Sequence, residues 1–203
     1  MATSVLTNPI IFCLITIVDT ILFVPGFRST DVSAYEETFA IFRAKGYEVR
    51  FVPINWRATS IKHWAAEVSE AYADYEPGHT LLAGFSLGAY SALVAAADRP
   101  PARLLLLSLS PYFAEDIPYL GEKSITYMRP RRMKAFSQTR FEEIAPRITS
   151  NTTLFVGSEE TPELQNRARQ AHRQIRRSRL VTVTGVRHDM GHPAYQSALS
   201  DEL

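Results

Sequence analysis

Two kinds of apolar spacing alternate along the chain. Short apolar runs recur at Ile21–Pro25, Tyr47–Asn55 (YEVRFVPIN), His79–Gly84, Arg103–Ser108 (RLLLLS), Thr152–Gly157 (TTLFVG) and Leu180–Thr184. These read as strands, and the runs without polar alternation as strands covered on both faces. Between them, apolar residues fall at helical spacing. Ile61, Trp64, Val68 and Tyr72 form one stripe across Ser60–Tyr75. Phe39, Ile41 and Phe42 lie within Ser33–Lys45, which Gly46 closes, and Ser86–Ala97 is rich in Ala. Pro162–Arg177 carries Pro in its first turn, and Pro193–Leu199 starts a last helix. Strands alternating with helices predict an α/β fold, a mostly parallel central sheet with helices on both faces.

Two stretches depart from this rhythm. Pro9–Val18 (PIIFCLITIV) is strongly apolar but about half the length that spans a bilayer. It lacks the basic flank and cleavage site of an export signal, and its β-branched content predicts a buried strand. Residues 109–151 show no clear strand and hold Tyr112, Phe113, Tyr119, Tyr127, Phe136 and Phe141. Some forty such residues inside a compact domain read as a lid or substrate-binding segment, or equally as ordinary helices covering one sheet face, and the two readings do not exclude each other.

Composition narrows the picture. A chain of 203 residues with 46% hydrophobic content is one ordinary domain, 1–203, with a full core. One cysteine, Cys13, excludes a disulfide framework and a Cys-based zinc site. A net charge of +1 argues against a dedicated nucleic-acid partner, and no phosphate-binding glycine motif is present. That charge is uneven: between Arg129 and Arg187 there are 13 Lys+Arg against 5 Glu. This band is either a docking face for an anionic carrier or substrate, or a solvated surface. The arginines at 167, 169, 173, 176, 177 and 179 spread over more than one helical face, which weakens the single-patch reading.

The chemistry centres on Gly84-Phe85-Ser86-Leu87-Gly88, a G-x-S-x-G placed between an apolar strand and a helix. A serine on such a turn is held in a strained conformation with its hydroxyl exposed. The flanking glycines let strand and helix approach where a Cβ would not fit. The helix N-terminus beneath favours developing negative charge. In these features the chain, from about Thr20 to Leu203, resembles the α/β-hydrolase family.

The resemblance implies Ser86 as nucleophile, with acid and base following it in that order along the chain. His188 follows the last strand in VTVTGVRHDMGHPAY and is the expected general base, with His192 as the alternative. A metal on the two histidines is not expected, since no third ligand is evident. The acid is expected after TTLFVG, where Glu160 is in register, with Glu159 as alternative and Asp116 as a minor one. Backbone N–H groups of Leu87 and of Phe27, in Val24-Pro25-Gly26-Phe27, are expected to form the oxyanion hole. Tyr112 and Phe113 are expected to bind substrate.

The implied reaction is cleavage of a carboxylic ester through an acyl-enzyme, without a cofactor, by a small enzyme of the cytoplasm that needs no membrane partner. A thioesterase acting on coenzyme A or carrier-protein thioesters is the alternative. A catalytically silent binding protein on the same fold is the alternative of another class.

Overall fold

A computed structural model describes residues 19–58 and 60–203. The strand expected at Pro9–Val18, with Cys13, lies outside the described residues. Six parallel strands form one sheet: β1 (Thr20–Val24), β2 (Glu48–Phe51), β3 (Thr80–Phe85), β4 (Arg103–Leu107), β5 (Asn151–Gly157) and β6 (Ser178–Val183). Their order across the sheet is β2-β1-β3-β4-β5-β6. The chain leaves β1 for one side and returns on the other, so a crevice opens beyond the carboxyl ends of β1 and β3.

Side chains alternate across the sheet and build two cores. Ile21, Phe23, Leu81, Ala83, Leu105, Leu107 and Phe155 face α1 (Glu36–Ala44) and α7 (Pro193–Asp201). Leu22, Val24, Leu82, Leu104, Leu106 and Leu154 face α2 (Ile61–Ala73), α3 (Leu87–Asp98) and α6 (Pro162–Gln174). Burial on both faces explains the unbroken apolar run at Leu104–Leu107. The stripe Ile61, Trp64, Val68 and Tyr72 is buried as its spacing predicts. Helix α3 is buried nearly all round, and its alanines let it lie close against the sheet.

β2 stops at Phe51 rather than Asn55, since Pro53 has no N–H to give to a ladder. Residues 109–151 form α4 (Glu122–Phe136), the short α5 (Phe141–Ile144) and single 3-10 turns. Helix α4 breaks at Arg129 (φ 66°, ψ 153°), directly before Pro130. A residue ahead of proline is driven out of the helical region, so the break is written in the sequence. Among the described residues, no helix is long and apolar enough to cross a membrane.

Candidate active site

The carboxyl ends of β3, β5 and β6 bring three side chains into line. Ser86 occupies the turn from β3 into α3 with φ 58° and ψ −119°, a region that non-glycine residues rarely adopt. Two close approaches hold this turn. A Cβ on Gly84 would lie 2.5 Å from the Gly88 carbonyl oxygen, and one on Gly88 would lie 2.3 Å from the carbonyl oxygens of Val24 and Pro25. Both obstacles are backbone, so the two glycines are sterically required. The Ser86 N–H donates to the Leu107 carbonyl at 2.8 Å, pinning the turn to β4.

Ser86 Oγ lies 3.0 Å from Nε2 of His188, and His188 Nδ1 lies 3.3 Å from Oε2 of Glu160. With Nδ1–H given to the carboxylate, Nε2 is left to accept a proton. The Glu160 carboxylate is buried, and its other oxygen accepts from Ser108 Oγ at 2.6 Å and from the Gly157 N–H at 3.0 Å. Ser108 gives its proton to Glu160, so the Tyr195 hydroxyl, 3.1 Å away, donates to Ser108 Oγ. Burial pushes the Tyr195 phenol well above its ordinary range, which keeps it a donor. Ser108, like Ser86, has a positive φ (53°). His188 also stacks on Phe85, with ring centroids 4.8 Å apart.

The other candidates sit elsewhere. Glu159 points to solvent and pairs with Arg187 at 3.4 Å. His192 caps α7, its Nδ1 accepting the Ala194 N–H at 3.2 Å. Asp116 is buried, paired with Arg167, and accepts the Phe113 N–H at 3.1 Å. Phe113 is not a wall of the site: it is fully buried, stacked on Tyr90 at 4.2 Å and capped by the Arg167 guanidinium. Tyr112 lines the cavity while its ring also stacks on Phe136 at 4.9 Å, whereas Phe113 lies wholly in the core.

Beside Ser86 lies a cavity of about 430 Å³. Phe27, Tyr112, Tyr127, Met128 and Leu164 supply its apolar walls, and Ser29, Ser110, Ser124 and Glu163 its polar ones. The segment 109–151 thus divides: Ser110 to Met128 reaches the cavity, while Phe136, Phe141 and Ile144 pack in the core. Among the described residues, neither the Phe27 nor the Leu87 N–H is given to a protein acceptor. Both residues line the cavity, and Leu87 opens a helix of 12 residues whose positive end faces it. The Tyr35 hydroxyl accepts the Gly26 N–H at 3.0 Å and steadies the loop that carries Phe27. Ser110 Oγ sits 3.3 Å from Ser86 Oγ. Ser108, Ser110, Tyr35 and Tyr195 carry no motif, and the sequence offered no signal for them.

No protein-family model matches the chain, and no curated protein sequence does. Solved structures do match in shape. Est1E from Butyrivibrio proteoclasticus superposes with a TM-score of 0.77 at 14% identity, covering 91% of this chain and 86% of that one. An esterase from Exiguobacterium antarcticum (EaEST) gives 0.70 at 14% identity, covering 91% and 90%. A thioesterase domain from the curacin biosynthetic pathway gives 0.64 at 19% identity, also covering 91% and 90%. The chain has the α/β-hydrolase fold.

Proposed function

We propose that this α/β-hydrolase-fold chain is a serine hydrolase that cleaves small carboxylic esters through an acyl-enzyme on Ser86. The observation that carries the reading is the line Ser86–His188–Glu160, with spacings of 3.0 and 3.3 Å, at the positive end of α3. Ser86 Oγ attacks the ester carbonyl while His188 Nε2 takes its proton. The carbonyl oxygen gains charge and is met by the Phe27 and Leu87 N–H groups, where each such donor contributes about 3–4 kcal/mol of transition-state stabilisation. The tetrahedral adduct collapses, His188 protonates the departing alkoxide, and the acyl group stays on Oγ. Water, deprotonated by His188, then attacks the acyl carbon, and the acid leaves as Ser86 recovers its proton. Glu160 holds the imidazole in the required tautomer and offsets its charge, and Ser108 with Tyr195 holds Glu160.

The cavity's mixture of aromatic and hydroxyl walls suits a short acyl or aromatic ester. Likeness to both an esterase and a thioesterase domain supports ester or thioester cleavage on this fold. A fluorophosphonate probe tests the reading. Folded protein is expected to be labelled at Ser86, and heat-unfolded protein and Ser86→Ala are not. Labelling that persists in Ser86→Ala, or is absent from the native chain, would overturn it.

A further inference from the structure

Outside the catalytic cavity the fold gathers five arginines from three separate segments. Arg28 follows Phe27, Arg57 follows β2, and Arg129, Arg131 and Arg132 surround the break in α4. A cavity of about 510 Å³ is lined by Arg28, Asn55, Trp56, Arg57, Arg129 and Arg132 among others. A neighbouring one of about 530 Å³ shares Arg57, Arg129 and Arg132 and adds Arg131. No carboxylate lines either cavity. Among the described residues none of the five pairs with an acidic group, and residues 1–18 and Thr59 contain no Asp or Glu. Glu67, close by, already accepts the Asn55 N–H at 2.8 Å and contacts His63.

Elsewhere in the basic band Arg140, Arg147, Arg167, Arg179 and Arg187 each meet a carboxylate, while Lys134, Arg169, Arg173, Arg176 and Arg177 do not. What sets the cluster apart is that its members converge on one space from three segments. Arg132 is buried with no counter-ion. One of its Nη atoms donates to the Trp56 carbonyl at 2.9 Å, and its Nε finds no acceptor among the described residues. Burial, together with Arg28 and Arg129, pulls its guanidinium below its ordinary value. A buried unpaired charge is expensive, and an anion in the cavity would offset it.

Backbone strain points the same way. Four non-glycine residues have positive φ among those described: Arg28, Ser86, Ser108 and Arg129. Ser86 is the nucleophile proposed above, and Ser108 donates to Glu160. The other two bring guanidinium groups to this cavity, at a cost of about 1–3 kcal/mol each. The Phe27 ring forms the partition between the sites. It lines the catalytic cavity, and Arg28 and Arg132 lie 5.1 and 5.0 Å from its centroid.

We propose that the arginine-lined cavity binds a phosphate group carried by the substrate, so that the ester cleaved at Ser86 is phosphorylated at its far end. Several guanidinium forks around one space match the charge and the paired oxygens of phosphate. The identity of the substrate rests on the hydrolase reading; the anion site does not.

The two tryptophans of the chain both report on the cavity. Trp56 lines it, and Trp64 packs on Trp56 at 5.1 Å with Arg132 5.8 Å from its ring. Pyrophosphate titrated into wild type and into Ser86→Ala is expected to give a saturable fluorescence change that potassium chloride of equal ionic strength does not. Arg57→Gln and Arg129→Gln should each raise the apparent Kd about tenfold or more, which is about 1.4 kcal/mol. Arg173→Gln, on the exposed side of α6, should leave it unchanged. Two p-nitrophenyl esters of equal chain length, one ending in phosphate and one neutral, then test the link to catalysis. Arg129→Gln should raise KM for the phosphorylated ester about tenfold with kcat kept, and leave the neutral ester alone. A response that fails to saturate, survives the arginine substitutions, or affects both esters alike refutes the proposal. If pyrophosphate binds as described but neither ester is cleaved, the hydrolase reading falls and the anion site stands.

Discussion

Replacing Glu160 by Gln changes one atom and leaves the shape of the site intact. Oε1 of Glu160 accepts two hydrogen bonds, from Ser108 Oγ at 2.6 Å and from the Gly157 N–H at 3.0 Å. The new carboxamide must keep its oxygen there, since turning it would set an NH2 against two donors in a buried space, at about 1–3 kcal/mol for each unmet group. Its NH2 then faces His188 Nδ1. The imidazole responds by carrying its proton on Nε2, which can no longer accept from Ser86. Loss of the required tautomer in this way costs about 10⁴ in kcat, or about 5.4 kcal/mol. We therefore expect Glu160→Gln to lower kcat on a p-nitrophenyl ester by 10³–10⁴ with its thermal melt little changed. Glu159→Gln removes only an exposed contact to Arg187 and should stay within about twofold. Equal losses in the two variants, or Glu160→Gln retaining more than a tenth of the rate, would refute this account of the acid.

Gly88→Ala should fail to accumulate as folded protein or melt several degrees lower, because its Cβ would meet two carbonyl oxygens at 2.3 Å; an unshifted melt counts against the packing of the turn. Phe113→Ala should lose about 3–5 kcal/mol in urea unfolding while the ranking of ester substrates stays as it was. Tyr127→Ala, at a half-exposed cavity wall, should do the reverse, and a changed ranking in Phe113→Ala would return that residue to the pocket. Burial raises the phenols of Tyr90 and Tyr195 well above their ordinary value, so above pH about 10 the unfolded chain releases protons that the folded chain keeps. Their contribution is intact below pH 10, and stability should decline above it by about 1.4 kcal/mol per pH unit for each phenol. Tyr195→Phe should remove one share of that slope, and urea midpoints that stay flat between pH 9 and 11 contradict the assignment.

The strand runs were legible because burial on two faces leaves no room for polar residues, as at Leu104–Leu107, and helix α2 because its stripe repeats at helical spacing. The turn at Ser86 was legible because two backbone approaches exclude side chains from Gly84 and Gly88, so the glycines had to be written out. Residues 109–151 were less legible. Tyr112 and Phe113 are buried neighbours of similar character, and only the tertiary packing leaves an edge of the first on the cavity. Ser108 and Ser110 are ordinary serines whose surroundings depend on β4 lying between β3 and β5. The arginine cluster was hidden for a similar reason: Arg28 and Arg57 are distant in sequence from Arg129–Arg132 and carry no local pattern with them.

The sheet order also governs when the line Ser86–His188–Glu160 can first exist. Ser86 follows β3, Glu160 follows β5 and His188 follows β6, with β4 between the first two. Ser86 and His188 are 102 residues apart, and each parallel pairing must wait for a long crossover to close. A folding chain that has paired only β1 to β4 holds the bent serine turn with no base beside it, and its hydroxyl is no more reactive than any other. If the chain is the hydrolase proposed above, regain of activity on refolding cannot precede the docking of β6, and it reports on that edge of the sheet rather than on the collapse of its centre.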